Sequence, residues 1–228
     1  DELTLGIEAG LAPVTLFVTA AHTGTPLTRR CEGLGAEVIE TTKDVFAKLA
    51  YREHPDGCLA VARTPETGLK RLQLPAQPLV LVVDGVEKPG NLGAMLRTAD
   101  AAGVHAVILS DAGTDPFNPN VVRASKGAVF SVPLAVAEPE EGIGWLRERG
   151  IAVATATPES GDVYTKASLS GSMALVVGAE DAGVSAAWRD AAVFSVNIPM
   201  AGRVNSLNVA TAAALLLYEA VRQRAKTR

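Results

Sequence analysis

Cysteine is almost missing from this chain. Cys31 and Cys58 are the only two in 228 residues, too few for a disulfide framework or an all-cysteine metal site, and they fit buried free thiols in a reducing cytoplasm. Aromatic residues make up 4%, so a ladder of rings stacking many bases is not expected. No run approaches the ~18 uninterrupted apolar residues of a membrane span. The opening DELTLGIEAG lacks the basic and apolar regions of a signal peptide, and its missing Met points to a trimmed start. G-x-G-x-x-G, G-x-x-x-x-G-K-[ST], H-E-x-x-H, C-x-x-C and G-x-S-x-G are all absent. These absences argue against dinucleotide-dependent oxidoreductases, P-loop hydrolases, zinc proteases and serine hydrolases. His22, His54 and His105 are scattered, and none is expected to act as a catalytic base or to hold a metal.

Charge is also scarce in excess of either sign. The net charge is -4, and dividing the chain at Leu79 leaves 8 basic against 10 acidic residues before it and 13 against 15 from it onward. Neither half is a basic tail, so a nucleic acid must be met by a local patch. Hydrophobic residues at 48% and charged residues at 20% describe an ordinary globular chain, long enough for one or two domains.

What is there alternates. Residues 1–10 can complete a helix, and 14–19, 36–40 and 58–63 read as strands with helices over 27–35 and 42–50, a small α/β unit spanning 1–63. TPETGLKRLQLPAQP, residues 64–78, carries three prolines and a glycine and reads as a semi-stiff linker. From Leu79 a larger unit runs to 228. Strands are predicted at 79–84, 106–110, 130–136, 151–156, 173–178 and 194–199, and helices at 91–102, 140–149, 184–190 and 206–225. LVLVVD (79–84) is a continuous apolar run up to its final Asp84, as in a parallel strand covered on both faces. The last helix is apolar around most of its circumference for two turns, which suggests burial on both sides and a subunit interface.

Three segments follow predicted strands, where open α/β sheets hold ligands. In DGVEKPGNLGAMLRTADAAGV (84–104), Asn91 stands where a helix N-cap is expected and Arg97 lies about 120° from it around the helix. A cap and a surface arginine are the plain alternative, which leaves unexplained a lone guanidinium among Leu92, Met95 and Leu96. In LVVGAEDAGVS (175–185), Gly178 and Gly183 allow close approach to the backbone and Glu180 suits a neighbouring loop or an arginine; an ordinary strand-to-helix turn reads the same way. In IPMAGRVNSLNVATAAALLLYEA (198–220), Asn205, Ser206 and Asn208 gather at a helix start, as a polar, uncharged pocket or as a capping cluster.

Taken together and in order, PGNLGAMLRTADAAGV, LVVGAEDAGVS and IPMAGRVNSLNVATAAALLLYE resemble the three motifs of the SpoU, or TrmH-like, branch of the SPOUT methyltransferases. The resemblance spans residues 79–228. It implies an α/β domain with a parallel sheet tied in a trefoil knot, a homodimer with its pocket near the interface, and transfer of a methyl group from S-adenosylmethionine to a ribose 2'-hydroxyl in RNA. By the same resemblance Asn91, Arg97, Glu180, Ser206 and Asn208 are the catalytic-site residues, with Arg97 the catalytic arginine. Cofactor contacts fall on Thr155, Gly178, Ile198 and Leu207, largely through backbone groups, with Met200 nearby.

The first unit, with YREHPDGCLAVA (51–62), is similar to the small RNA-binding α/β domain that precedes many of these catalytic domains; the stretch before Asp1 that usually completes its first helix is missing. RASKGAVFSVP (123–133) resembles the segment in which a basic residue faces RNA. Candidate RNA contacts are Arg29, Arg30, Arg52 and Arg63 in the first unit and Arg123 and Lys126 in the second. The resemblance further points to 23S ribosomal RNA as the substrate, as in enzymes that include antibiotic-resistance members of producing bacteria. A transfer-RNA methyltransferase and a non-catalytic RNA-binding module stay open as alternatives.

Overall fold

Alternate residues of the apolar strand LVLVVD enter different cores. Leu79, Leu81 and Val83 pack with one group of buried residues, Val80 and Val82 with another, because successive side chains on a strand point to opposite sheet faces. A strand buried on both faces needs helices on both, and that requirement sets the architecture of the larger unit. A computed structural model describes residues 2–51 and 55–225. The chain divides into two compact units, Asp1–Glu66 and Thr67–Arg228.

In the smaller unit, α1 (Glu2–Glu8), β1 (Pro13–Thr19), α2 (Pro26–Gly33), β2 (Glu37–Thr41), α3 (Lys43–Leu49) and β3 (Cys58–Ala62) follow one another. The sheet order is β2-β1-β3, with β1 parallel to β2 and antiparallel to β3. Thr25 and Thr42 cap α2 and α3 by accepting from the backbone N–H groups of Thr28 and Val45. Ile7, Leu16, Val18, Cys31 and Ala36 form the core. Both cysteines are free thiols, Cys31 buried and Cys58 half-buried; burial is the main cause that pushes both thiols up.

The larger unit contains β4 (Leu79–Asp84), α4 (Pro89–Ala101), β5 (Ala106–Ser110), α5 (Pro119–Ala124), α6 (Ala128–Ser131), β6 (Leu134–Ala137), α7 (Pro139–Glu148), β7 (Ala152–Ala156), β8 (Met173–Gly178), α8 (Ala186–Ala191), β9 (Phe194–Val196) and α9 (Val209–Ala225). Its sheet has the order β6-β5-β4-β8-β7-β9, and every pairing is parallel. Leu92, Met95 and Leu96 of α4 and Ala213, Leu216 and Leu217 of α9 cover one face. Trp145 and Leu146 of α7 and Trp188 of α8 cover the other.

Several expected boundaries move. The expected strand 130–136 is split: Phe130 and Ser131 belong to α6, and pairing begins at Leu134, after Pro133, which has no N–H to give a ladder. α5 is an element that periodicity did not reveal. The strand expected to run to residue 199 ends at Val196, and the last helix starts at Val209 rather than 206. The expected linker 64–78 is anchored from Thr67 onward. Leu69 and Leu72 are buried in the core of the larger unit, and the Thr67 carbonyl accepts from the Val136 N–H. Arg224 of α9 donates to the carbonyls of Gln77 and Pro78, both at 2.9 Å, tying the last helix to the start of β4. Among the described residues no helix is long and apolar enough to cross a membrane.

Candidate active site

Parallel register brings the chemistry-bearing loops to one rim. Asp84 and Gly178, the last residues of β4 and β8, are direct Cα partners, so the segments leaving both strands emerge side by side. From β4 the chain continues outward to β5, whereas β7 and β9 lie beyond β8. This reversal of direction makes the crevice at the carboxyl ends of β4 and β8 a switch point, where such sheets bind ligands.

Three segments are fastened there. Asn91 Nδ2 donates to Glu180 Oε1 at 2.9 Å, Asn208 Nδ2 donates to the same oxygen at 3.0 Å, and Asn208 Nδ2 also reaches Asn91 Oδ1 at 3.0 Å. Asn208 Oδ1 accepts from the Ala210 N–H at 3.0 Å, capping α9. Each amide therefore has a fixed sense: the Asn208 oxygen is used by the cap, its nitrogen must donate, and Asn91 must accept on its oxygen and donate from its nitrogen. Lys88 Nζ holds the second oxygen, Oε2. The Lys88 ammonium, followed by the Asn91 amide, holds the Glu180 carboxyl below the usual carboxylate range. The hydrogen bond to Glu180 raises Lys88 in turn. With both oxygens occupied by donors, Glu180 is a fastener and a poor proton acceptor.

Asn91 is not the cap that the sequence suggested. Lys88 is the N-cap residue of α4 and Pro89 its first residue, which places Asn91 in the first turn with its side chain free to cross to Glu180. Lys88 itself was missed. Its only sequence signal is a cation beside a helix N-terminus, an unfavourable place unless a carboxylate answers it. Asp84 was missed as well. It is 2% exposed, and its Oδ2 accepts from the Ser185 N–H at 2.7 Å, pinning the residue that precedes α8.

The loop after β8 folds tightly over its own start. A Cβ on Gly178 would lie 2.1 Å from the carbonyl carbon of Gly183, so the missing side chain at Gly178 makes room for the chain itself. Gly93 serves packing: a Cβ there would meet Ala124 Cβ at 2.4 Å, so α4 and the end of α5 approach closely. Arg97 follows Gly93 by one turn on the same side of α4, is exposed, and makes no hydrogen bond or ion pair among the described residues. Arg123 and Lys126, at the end of α5, are exposed too. Arg123 donates to Asn120 at 3.0 Å, and Lys126 takes a left-handed φ of 56°, an uncommon conformation for a lysine.

The model of the SpoU rRNA Methylase family matches residues 78–218. The chain belongs to that family. It is similar to the 23S rRNA (uridine(2479)-2'-O)-methyltransferase of Streptomyces viridochromogenes, 38% identical over 82% of this chain and 68% of that protein. It is also similar to the 23S rRNA (guanosine-2'-O-)-methyltransferase RlmB of Vibrio vulnificus, 38% identical over 87% of this chain and 83% of that protein. The crystal structure of the SpoU methyltransferase AviRb from Streptomyces viridochromogenes in complex with AdoMet superposes with a TM-score of 0.91 at 31% identity, covering 100% of this chain and 89% of that one.

In this SpoU methylase the remaining expected residues fall into distinct places. Ile198, Met200 and Leu207 are half-buried in the segment between β9 and α9. Thr155 is fully buried, its hydroxyl 2.8 Å from that of Ser195. Ser206 is exposed and stands outside the hydrogen-bonded group that joins Asn91, Glu180 and Asn208. In the smaller unit Arg29 donates to the Gly24 carbonyl at 3.0 Å, Arg30 pairs with Glu8 at 3.6 Å, and Arg63 is exposed just beyond β3. Arg52 and His54 lie outside the described residues. His22 and His105 have structural partners, Thr19 Oγ1 at 3.1 Å and the Leu79 N–H at 2.9 Å.

Proposed function

We propose that this chain transfers a methyl group from S-adenosylmethionine to a ribose 2'-hydroxyl of 23S ribosomal RNA. The observation that carries the reading is the fastening of three family segments through Asn91, Glu180 and Asn208 at the sheet's switch point, in a chain whose relatives are named for that reaction.

The residues present fit the cofactor. Ile198, Met200 and Leu207 offer half-buried apolar surface, and Asn197 Oδ1, beside them, is buried with no hydrogen-bond partner. An apolar shelf with an unanswered acceptor suits an adenosine, which presents a ring face and an amino donor. Ile198, Met200, Leu207 and the backbone at Gly178 and Thr155 would hold it, and when bound it supplies an electrophilic methyl on a sulfonium.

This chain's own part is alignment and charge. Glu180, with its oxygens taken by Lys88, Asn91 and Asn208, keeps the three segments together and takes no proton. Arg97 is the catalytic arginine of this reading. A guanidinium has donors only and cannot accept the hydroxyl proton, so Arg97 binds the phosphate next to the target ribose, positions the hydroxyl and stabilises the negative charge that grows on it. Ser206, exposed beside Asn208, is available to the ribose. Arg123 and Lys126, on the Arg97 side of α4, continue the basic surface for the RNA backbone; Arg29, Arg30, Arg52 and Arg63 make the smaller unit a second RNA contact.

The reading includes a homodimer, the trefoil knot and work in the cytoplasm. Leu215 and Tyr218 stay 37% and 51% exposed on the outer side of α9 and line, with Tyr164 and Thr211, an open groove of about 450 Å³. Exposed apolar side chains on an otherwise packed helix suit a second copy of the chain. The test is tritium transfer from labelled S-adenosylmethionine to unmodified 23S rRNA by the wild type and by Arg97→Ala. Transfer by the wild type alone is expected, and equal transfer by both removes Arg97 from the mechanism.

A further inference from the structure

The residue that the family segments leave unexplained is Lys88. It stands at the N-cap of α4, where the helix dipole disfavours a cation, and its side chain is 68% exposed. A lysine with that freedom has no need to turn inward, yet its ammonium lies on Oε2 of Glu180, a side chain only 26% exposed. The other oxygen, Oε1, is shared by two neutral amides from segments 89 and 28 residues away in sequence. Three donors thus converge on one carboxylate, and only one of them carries charge.

We propose that Lys88 is a positioning residue for the cofactor pocket, the cation that holds the Glu180 carboxylate turned toward Asn91 and Asn208 so that the three loops close as one. This rests on the methyltransferase reading above and adds to it a residue that stands just before the first motif segment, which begins at Pro89. The chemistry favours a charged donor at this place. Asn91 and Asn208 can each donate to a carboxylate or to a carboxylic acid carbonyl, so neither by itself demands the ionised form, whereas an ammonium does. Lys88 is the cation facing Glu180 from α4, Asp181 is the further charge acting on Lys88, and α9 brings the neutral Asn208.

Loss of the ammonium leaves Glu180 with amide donors alone. Its carboxyl then titrates at a higher pH, the loop after β8 is held less firmly against α4, and the pocket formed by Gly178 and the segment 197–208 loses part of its preorganisation. Arg97, nine residues beyond Lys88 on α4, is untouched. The consequence is weaker cofactor binding with turnover at saturation preserved.

The experiment compares wild type, Lys88→Met and Lys88→Arg in the full chain by three readouts. These are calorimetric Kd for S-adenosylmethionine, KM and kcat for methyl transfer, and the carbon-13 titration of the Glu180 carboxyl. Lys88→Met is expected to raise Kd and KM about threefold, on the scale of an exposed ion pair, with kcat within about twofold, and to move the Glu180 titration upward. Lys88→Arg restores all three. An unmoved Glu180 titration in Lys88→Met, or an unchanged Kd, overturns the proposal. Failure of the wild type to bind S-adenosylmethionine would instead overturn the methyltransferase reading, and the Glu180 titration would still report on the ion pair.

Discussion

Asn91 and Asn208, 117 residues apart in sequence, are joined by a 3.0 Å hydrogen bond from Asn208 Nδ2 to Asn91 Oδ1. Asn208 also caps α9 through its oxygen, so one side chain starts the last helix and closes the site. Replacing Asn208 by Ala removes both functions. Loss of the cap is expected to cost about 1 kcal/mol in urea unfolding, and Kd for S-adenosylmethionine should rise by about tenfold or more as the loops separate. Unchanged binding in a folded Asn208→Ala protein contradicts the fastening role.

Arg97 separates chemistry from stability. Exposed and without a partner among the described residues, it contributes little to the fold, so Arg97→Ala should unfold within about 0.5 kcal/mol of wild type. Methyl transfer should fall by about 10²–10³-fold, the scale of losing one aligned charge donor, while calorimetric binding of S-adenosylmethionine stays within about twofold. A parallel loss of binding and turnover points to a structural role instead.

Close helix packing makes Gly93 sensitive. The added methyl of Gly93→Ala meets Ala124 Cβ at 2.4 Å and the Ser125 nitrogen at 2.9 Å, and overpacking of this kind costs about 1–3 kcal/mol. Gly90 on the same helix has open space where its Cβ would be. Urea midpoints should therefore fall clearly for Gly93→Ala and stay within a few tenths of a molar of wild type for Gly90→Ala.

The pH dependence of Glu180 follows from the sign of its shift. Its carboxyl is held low in the folded chain by Lys88 first and then Asn91, so its contribution is fully present above the ordinary glutamate range and fades as pH falls through the depressed folded value. The stability gap between wild type and Glu180→Gln should be steady at neutral pH and shrink in acid. A gap that widens on acidification gives the opposite sign and refutes the depressed carboxyl.

Leu215 and Tyr218 test the dimer. Leu215→Asp combined with Tyr218→Glu places charge on the groove side of α9 and should shift sedimentation from dimer to monomer with the helical circular dichroism retained. A wild type that sediments as a monomer removes the dimer from the reading.

Much of the fold was legible because its signals are local. LVLVVD reads as a doubly covered strand from five consecutive apolar residues, Leu79 to Val83, and the structure divides their side chains between two cores as that predicts. The helices over 139–148 and 209–225 were visible in their periods. FSVPLAV misled because its apolar residues Phe130, Val132, Leu134 and Val136 alternate with a strand's period of two, whereas Pro133 stands between α6 and β6. The site was legible as three segments but not as a bonded group. Nothing in the spacing says that Asn91 turns away from the cap position, that Lys88 reaches Glu180 across 92 residues, or that Ser206 stays out while Asn208 joins. Such contacts depend on the register of β4 against β8, which places two strand ends together that the sequence sets far apart.

The central claim is methyl transfer to a ribose oxygen of 23S rRNA, and the most direct measurement is nucleoside mass spectrometry of unmodified 23S rRNA after incubation with the protein and isotopically labelled S-adenosylmethionine. The account predicts one 2'-O-methylated nucleoside carrying the label. Label on a base, or none on the RNA in the presence of a protein that binds the cofactor, would contradict it.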